Sequence, residues 1–268
     1  MTNASQEFQG AAQSNLVPMV VEQTKNGERG YDLISRLMKD NVIMVTGPIH
    51  QGMASIIVAQ LLYLGAQNSN TKKPISMYID SPGGSVDAGM AIYDAMNFVQ
   101  AEYGIPVRTI GLGMNMSMGS FLLCAGTKGY RAMLPNSDHM VHQPSAGSGG
   151  KVSDMKITQD SVEETKQRLA LFYVAHTNMD YETVKKISDR DTFLRAEECV
   201  KLGLVDTVMY ADDIVEKNKG KVEYAPGVEE HLKRISKFHR ETNLADMAAR
   251  AKEESDRGPY THLAQTLK

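Results

Sequence analysis

Ile75-Ser76-Met77-Tyr78-Ile79-Asp80-Ser81-Pro82-Gly83-Gly84-Ser85-Val86-Asp87-Ala88-Gly89-Met90-Ala91-Ile92-Tyr93-Asp94 carries a strand, a turn and a helix in one unbroken run. Ile75–Ile79 is a short, largely apolar run of strand length. Ser81-Pro82-Gly83-Gly84 ends it: proline presets φ at the second turn position, and glycine permits positive φ at the third. A turn needs one glycine; the second leaves backbone N–H groups unshielded by side chains. Helical spacing follows over Val86–Val99. The same alternation extends both ways. Val42–Val45 reads as a buried strand, and Met53–Leu64 as a helix with Ile56, Ile57, Gln60, Leu61 and Leu64 on one side. Thr109–Leu112 is a strand, Ser117–Ala125 a short helix, Met140-Val141 part of another strand, and Val162–Ala175 a helix. Strands separated by helices imply crossover connections, hence an α/β fold.

A chain of 268 residues can bury one substantial core, so a single domain with appendages is expected. The net charge of −3 gives no electrostatic reason to expect nucleic acid or an anionic membrane as partner. Apolar runs fall well short of the ~18 residues that a spanning helix needs. Residues 1–15 have neither the basic and apolar regions of a secretory signal nor an arginine-rich character. They are polar and aperiodic, a leader expected to be disordered or removed. The two cysteines, Cys124 and Cys199, are too few for a disulfide framework and fit a reducing, cytoplasmic setting. The 17 methionines read as adaptable core filling rather than metal ligands, and no metal site is expected.

Three polar residues stand out. Ser117 lies in Met116-Ser117-Met118-Gly119, His142 in His139-Met140-Val141-His142-Gln143-Pro144, and Asp191 in Asp189-Arg190-Asp191-Thr192-Phe193. A serine hydroxyl becomes a nucleophile when an imidazole takes its proton and a carboxylate orients that imidazole. Ser117 follows a strand and opens a helix, so Oγ is exposed where the N–H groups of the first helical turn also point; the Met118 N–H is a natural oxyanion donor. In any α/β protein the same serine could simply cap the helix. His139 lies three residues before His142 and would face the other side of an extended strand. Asp189 competes with Asp191 for the third place.

The neighbours of these residues resemble the proteolytic subunit of the Clp protease, the ClpP family. Matching segments run in order over roughly residues 16–210: Leu16-Val17-Pro18-Met19-Val20-Val21-Glu22-Gln23-Thr24, Ser35-Arg36-Leu37, Val58-Ala59-Gln60-Leu61-Leu62, Ser81-Pro82-Gly83-Gly84-Ser85-Val86, Ala88-Gly89-Met90-Ala91-Ile92-Tyr93-Asp94, Leu134-Pro135-Asn136-Ser137, His142-Gln143-Pro144, Asp189-Arg190-Asp191 and Gly203-Leu204-Val205-Asp206. The resemblance implies a ClpP/crotonase-like ββα superhelix with a protruding strand–helix handle around Ser145–Gly150. It implies a serine endopeptidase with Ser117, His142 and Asp191 as the triad, and the backbone N–H groups of Gly84 and Met118 as the oxyanion hole. Asp189 and Arg190 then correspond to a pair that reaches the opposing ring. Heptameric rings stacked as a tetradecamer, an AAA+ unfoldase such as ClpX or ClpA and unfolded protein substrates are implied with them. No cofactor is expected; ATP belongs to the unfoldase, and this chain has no Gly-x-x-x-x-Gly-Lys-Ser/Thr loop.

A crotonase-type acyl-CoA enzyme shares the superhelix but needs no such trio, and a silent ring subunit would usually lack one of its members. The chain departs from the family pattern at Met114-Asn115-Met116, at Ser76, where an aromatic is common, and at Ser145-Ala146-Gly147-Ser148-Gly149-Gly150. Insertions appear around Ser69–Lys72 and Ala101–Pro106. Residues 211–268 lie beyond the resemblance. They are charged, with helical stretches expected near Glu229–His239 and Leu244–Glu254. Val228, Leu232, Ile235 and Phe238 share one face, and a solvated or loosely docked appendage is the expectation.

Overall fold

The computed structural model describes residues 18–25 and 27–256; the leader at 1–15 lies outside them. Strands β1 (Met19–Thr24) and β2 (Gly27–Asp32) form an antiparallel hairpin apart from the main sheet. Asp32 then caps α1 (Leu33–Lys39), its carboxylate accepting from the Ser35 N–H at 2.8 Å. The main sheet runs β3 (Val42–Thr46), β4 (Ile75–Ser81), β5 (Val107–Met116), β6 (Arg131–Met133) and β9 (Thr207–Val208), all parallel. Helices α2 (Gln51–Gln67), α3 (Val86–Tyr103) and α4 (Met118–Cys124) make crossovers between successive strands. No described helix is long and apolar enough to cross a membrane.

Strand β5 is longer than its Thr109–Leu112 core and serves two partners. Thr109–Gly111 pair with β6, whereas Met114–Met116 pair with β7 (Asp138–Val141). The β4–β5 register shifts between Ile79 and Ser81, and the Asp80 carboxylate accepts from the Met114 N–H at 2.9 Å. That bond carries the strand past the irregularity and into its second pairing. Beyond β7, the short β8 (Thr192–Leu194) pairs antiparallel with it and with no other described strand. The sheet therefore ends in a small ladder built from the far end of β5, β7 and β8.

The core lies between this sheet and α2, α3 and α4. Ile43, Val45, Ile75, Met77, Ile79, Leu61, Ile92, Met96 and Leu122 are essentially inaccessible. Each such side chain contributes roughly 1.5–3 kcal/mol by leaving water. An aromatic knot joins α3 and α4 to α5 (Val152–His176). Phe121 stacks on Phe172 at 3.6 Å between centroids, and Tyr93 meets both edge-on. A second tie is the near-buried pair of Arg131 and Asp206, at 2.7 Å and 3.2 Å, with Arg131 also donating to the His176 carbonyl at 2.6 Å. Helices α6 (Tyr181–Ile187) and α7 (Ala196–Leu202) flank β8.

Two expectations need correction. Helix α5 begins at Val152, ten residues before its apolar pattern does, because only its last turns, with Ala170, Phe172 and Tyr173, are buried. Its first half projects, with Val152 85% exposed, and this is the helical part of the handle. Residues 142–151 form no strand; the stretch is rich in glycine and pairs with no described strand. The tail differs more. After α8 (Ala211–Lys217), one continuous helix, α9 (Val228–Asp256), replaces the two stretches, and it is docked. Phe238 is 63% exposed; Ser236, Asn243 and Met247 are buried instead. The docking surface is polar, which rotates the helix away from its apolar stripe. Arg240 grips Asp212 at 2.6 Å and 2.9 Å and lies over the Tyr210 ring, while the Ser236 hydroxyl accepts from the Asp212 N–H.

Candidate active site

Ser117 stands between β5 and α4 with φ 52° and ψ −120°, a left-handed conformation that a residue with a Cβ seldom adopts. Holding it there costs of order 1–3 kcal/mol. Two backbone bonds fix it: its N–H donates to the Met140 carbonyl at 2.9 Å, and its carbonyl accepts from Phe121 at 3.0 Å. The side chain makes no capping bond to α4, although it occupies the cap position. Oγ instead lies 2.9 Å from Nε2 of His142, and Nδ1 of that ring lies 2.9 Å from Oδ1 of Asp191. With Nδ1–H donated to the carboxylate, Nε2 is left to accept. The three sequence-distant side chains thus form one hydrogen-bonded line.

The ladder explains why they meet. Register pairs His139 with Leu194, Met140 with Phe193 and Val141 with Thr192. Continued one place outward, it sets His142 opposite Asp191, and alternate residues share a face. His139 therefore points the other way. It is fully buried, burial alone holds its pKa down at about 3, and it stays neutral. Asp189 is engaged elsewhere. Its side chain meets Arg190 at 3.6 Å, both exposed, and its carbonyl accepts from the Gln143 side chain at 2.8 Å. That last contact ties the segment after His142 to the loop holding Asp191, a role that His142-Gln143-Pro144 alone did not disclose.

The Ser81–Gly84 turn packs against the same point. Gly83 has φ 94°, and a Cβ there would lie 2.5 Å from Cβ of Ser117 and 2.9 Å from the Met118 nitrogen. Sequence reading missed this role for Gly83; its signal was the pair of adjacent glycines. Gly84 is bridged to Ile49: the Ile49 N–H donates to the Gly83 carbonyl at 2.8 Å, and Ser85 donates to the Ile49 carbonyl at 2.9 Å. In a parallel bridge these bonds flank Gly84, so its own N–H points away from Ile49. The Ser81 hydroxyl braces the turn, accepting from the Gly83 N–H at 3.1 Å and donating to the Gly47 carbonyl. Met118 is the first residue of α4, so its N–H has no acceptor within the helix.

Neither cysteine competes as a nucleophile. Burial pushes the Cys124 thiol up to about 12 and the Cys199 thiol well above its ordinary value. A strained serine at a strand–helix junction, with an imidazole and a carboxylate in line behind it, is an arrangement suited to activating a hydroxyl nucleophile. The mixed α/β fold with its mostly parallel sheet is that of ClpP. The family model for Clp protease matches residues 25–212, a span that contains every group just described and ends before α9, and by that match the chain belongs to the Clp protease family as a ClpP-type peptidase.

Proposed function

We propose that the protein is a serine endopeptidase in which Ser117 is the nucleophile, His142 the general acid–base and Asp191 the group that orients the imidazole. The observation carrying this reading is that Ser117 Oγ forgoes its helix cap to lie 2.9 Å from His142 Nε2. Oγ attacks the scissile carbonyl as its proton passes to Nε2, forming a tetrahedral oxyanion that the N–H groups of Gly84 and Met118 stabilise. Loss of one such donor costs ~10²–10³ in rate. The imidazolium, held by Asp191, returns the proton to the departing amine, and the C–N bond breaks to leave an acyl-Ser117. Water then attacks the ester carbonyl with His142 as base, releasing the second fragment and restoring the hydroxyl. Bond cleavage needs no cofactor.

In this reading the chain forms heptameric rings stacked as a tetradecamer, in a cytoplasmic setting. An AAA+ unfoldase such as ClpX or ClpA spends the ATP and feeds in unfolded polypeptide. The projecting half of α5, with Val152 and Ile157 exposed, supports a contact with another copy, and Asp189 and Arg190, both exposed, are available to meet the opposing ring. Fluorophosphonate labelling tests the assignment. The wild type should gain one adduct per chain and Ser117→Ala none; equal labelling of both would refute Ser117 as the nucleophile.

A further inference from the structure

The β7–β8 register has a second consequence at its other end. Continued one place inward, it sets Asp138 opposite Arg195, and Nη1 of Arg195 lies 2.6 Å from Oδ1 of Asp138. Asp138–Arg195, Met140–Phe193 and His142–Asp191 are therefore successive cross-strand pairs on one face, with a hydrogen-bonded pair at each end. Strand β8 is three residues long and, among the described strands, pairs only with β7, so its own ladder holds it weakly. A slip of one residue would turn the Asp191 carboxylate to the opposite face.

Helix α9 closes over this far end. Oδ2 of Asp246 lies 3.6 Å from Nη2 of Arg195, giving the guanidinium a second carboxylate. The buried Asn243 side-chain amide donates to the Pro135 carbonyl at 3.1 Å and to Oε1 of Glu197 at 3.0 Å. Pro135 precedes β7 and Glu197 follows β8, so one amide bridges the flanks of both strands. Tyr210 also donates to Glu197. None of these contacts involves Ser117, and α9 lies outside the family match.

We propose that Arg195 is a positioning residue and that α9 is a register clamp: with Asp138, Asn243 and Asp246 it pins β8 against β7 and so holds Asp191 opposite His142. The effect on turnover rests on the triad reading above; the effect on the ladder does not. Two measurements on the full-length chain separate them. In a Ser117→Ala background, which has no need of activity, hydrogen exchange is followed in peptides covering 138–142 and 191–195. Arg195→Gln and Asn243→Ala should each speed exchange there about tenfold, by local opening, with the β3–β4 segments unchanged. With Ser117 intact, the same variants should lose about tenfold in kcat for a short fluorogenic peptide while KM stays within about twofold, and Arg195→Lys should recover most of the loss. Asp246→Asn, which leaves the Asp138 pair in place, gives a milder case should the others fold poorly; it should speed the same exchange and lower kcat about threefold. Unchanged exchange in both peptides, unchanged kcat, or a loss spread evenly over the sheet would overturn the clamp. Faster exchange in variants of a protein that hydrolyses no peptide would support the clamp and refute the peptidase reading instead.

Discussion

Gly84→Ala tests the turn that faces Ser117, and its cost follows from the geometry. A methyl group there would lie 2.2 Å from the Ile49 carbonyl oxygen and 2.8 Å from the Ile49 nitrogen, on a residue with φ 150°. Both neighbours are backbone, so the turn must leave Ile49. It then loses the Ile49-to-Gly83 and Ser85-to-Ile49 bonds. Two hydrogen bonds at about 1 kcal/mol each, with 1–3 kcal/mol of backbone strain, give about 3–5 kcal/mol of destabilisation. The displaced turn has no room on its other side, because Gly83 already abuts Ser117. The Gly84 N–H must therefore shift from its present position. As an oxyanion donor it would take about 10²–10³ of kcat with it. Hydrolysis of a short fluorogenic peptide, measured at a temperature where circular dichroism shows the variant folded, gives kcat directly; urea titration gives stability. A folded variant with kcat within about threefold of wild type would show that the Gly84 N–H does not bind the oxyanion.

Ser117→Ala and His142→Ala should each lower kcat for the same peptide by about 10³ or more; retention of a tenth of activity in both would remove the triad. In the proposed double ring, Arg190→Ala should shift the particle toward single rings and lower peptidase activity together, since a modest cross-ring ion pair would recur by symmetry. Sedimentation velocity and a peptide assay on one sample decide it, and a stable double ring with full activity would leave Arg190 a surface charge. Asp206→Ala leaves the near-buried Arg131 guanidinium without its carboxylate and should cost about 3–5 kcal/mol by urea titration. Burial alone would raise the Asp206 carboxyl, but hydrogen bonds from Arg131 outweigh it and hold the pKa below its ordinary value. The stabilisation is then complete above the unfolded-state value of about 3.9 and fades as pH falls through the lower folded-state value. The wild type should accordingly lose stability with acidification in that window more steeply than Asp206→Ala.

Local pattern was enough where burial is periodic. Strand β4 and helices α2 and α3 each bury one regular set of side chains, so Ile75–Ile79, Met53–Leu64 and Val86–Val99 could be recognised without partners. Pattern failed where contacts are polar or remote. The β1–β2 hairpin is largely exposed and carries no apolar alternation. The first half of α5 packs on no core, and α9 docks through Ser236, Asn243 and Arg240 rather than through Phe238. Ser117, His142 and Asp191 could be named from their neighbours, but nothing local placed them in line. Their meeting depends on where β5 changes partners at Met114, and on a β8 register that the sequence states only as pairs once both strands are known. That same arithmetic separates Asp191 from Asp189. Shifted by two residues, a carboxylate would return to the same face but leave His142 facing the wrong rung, so the register selects the partner, and residue type alone cannot.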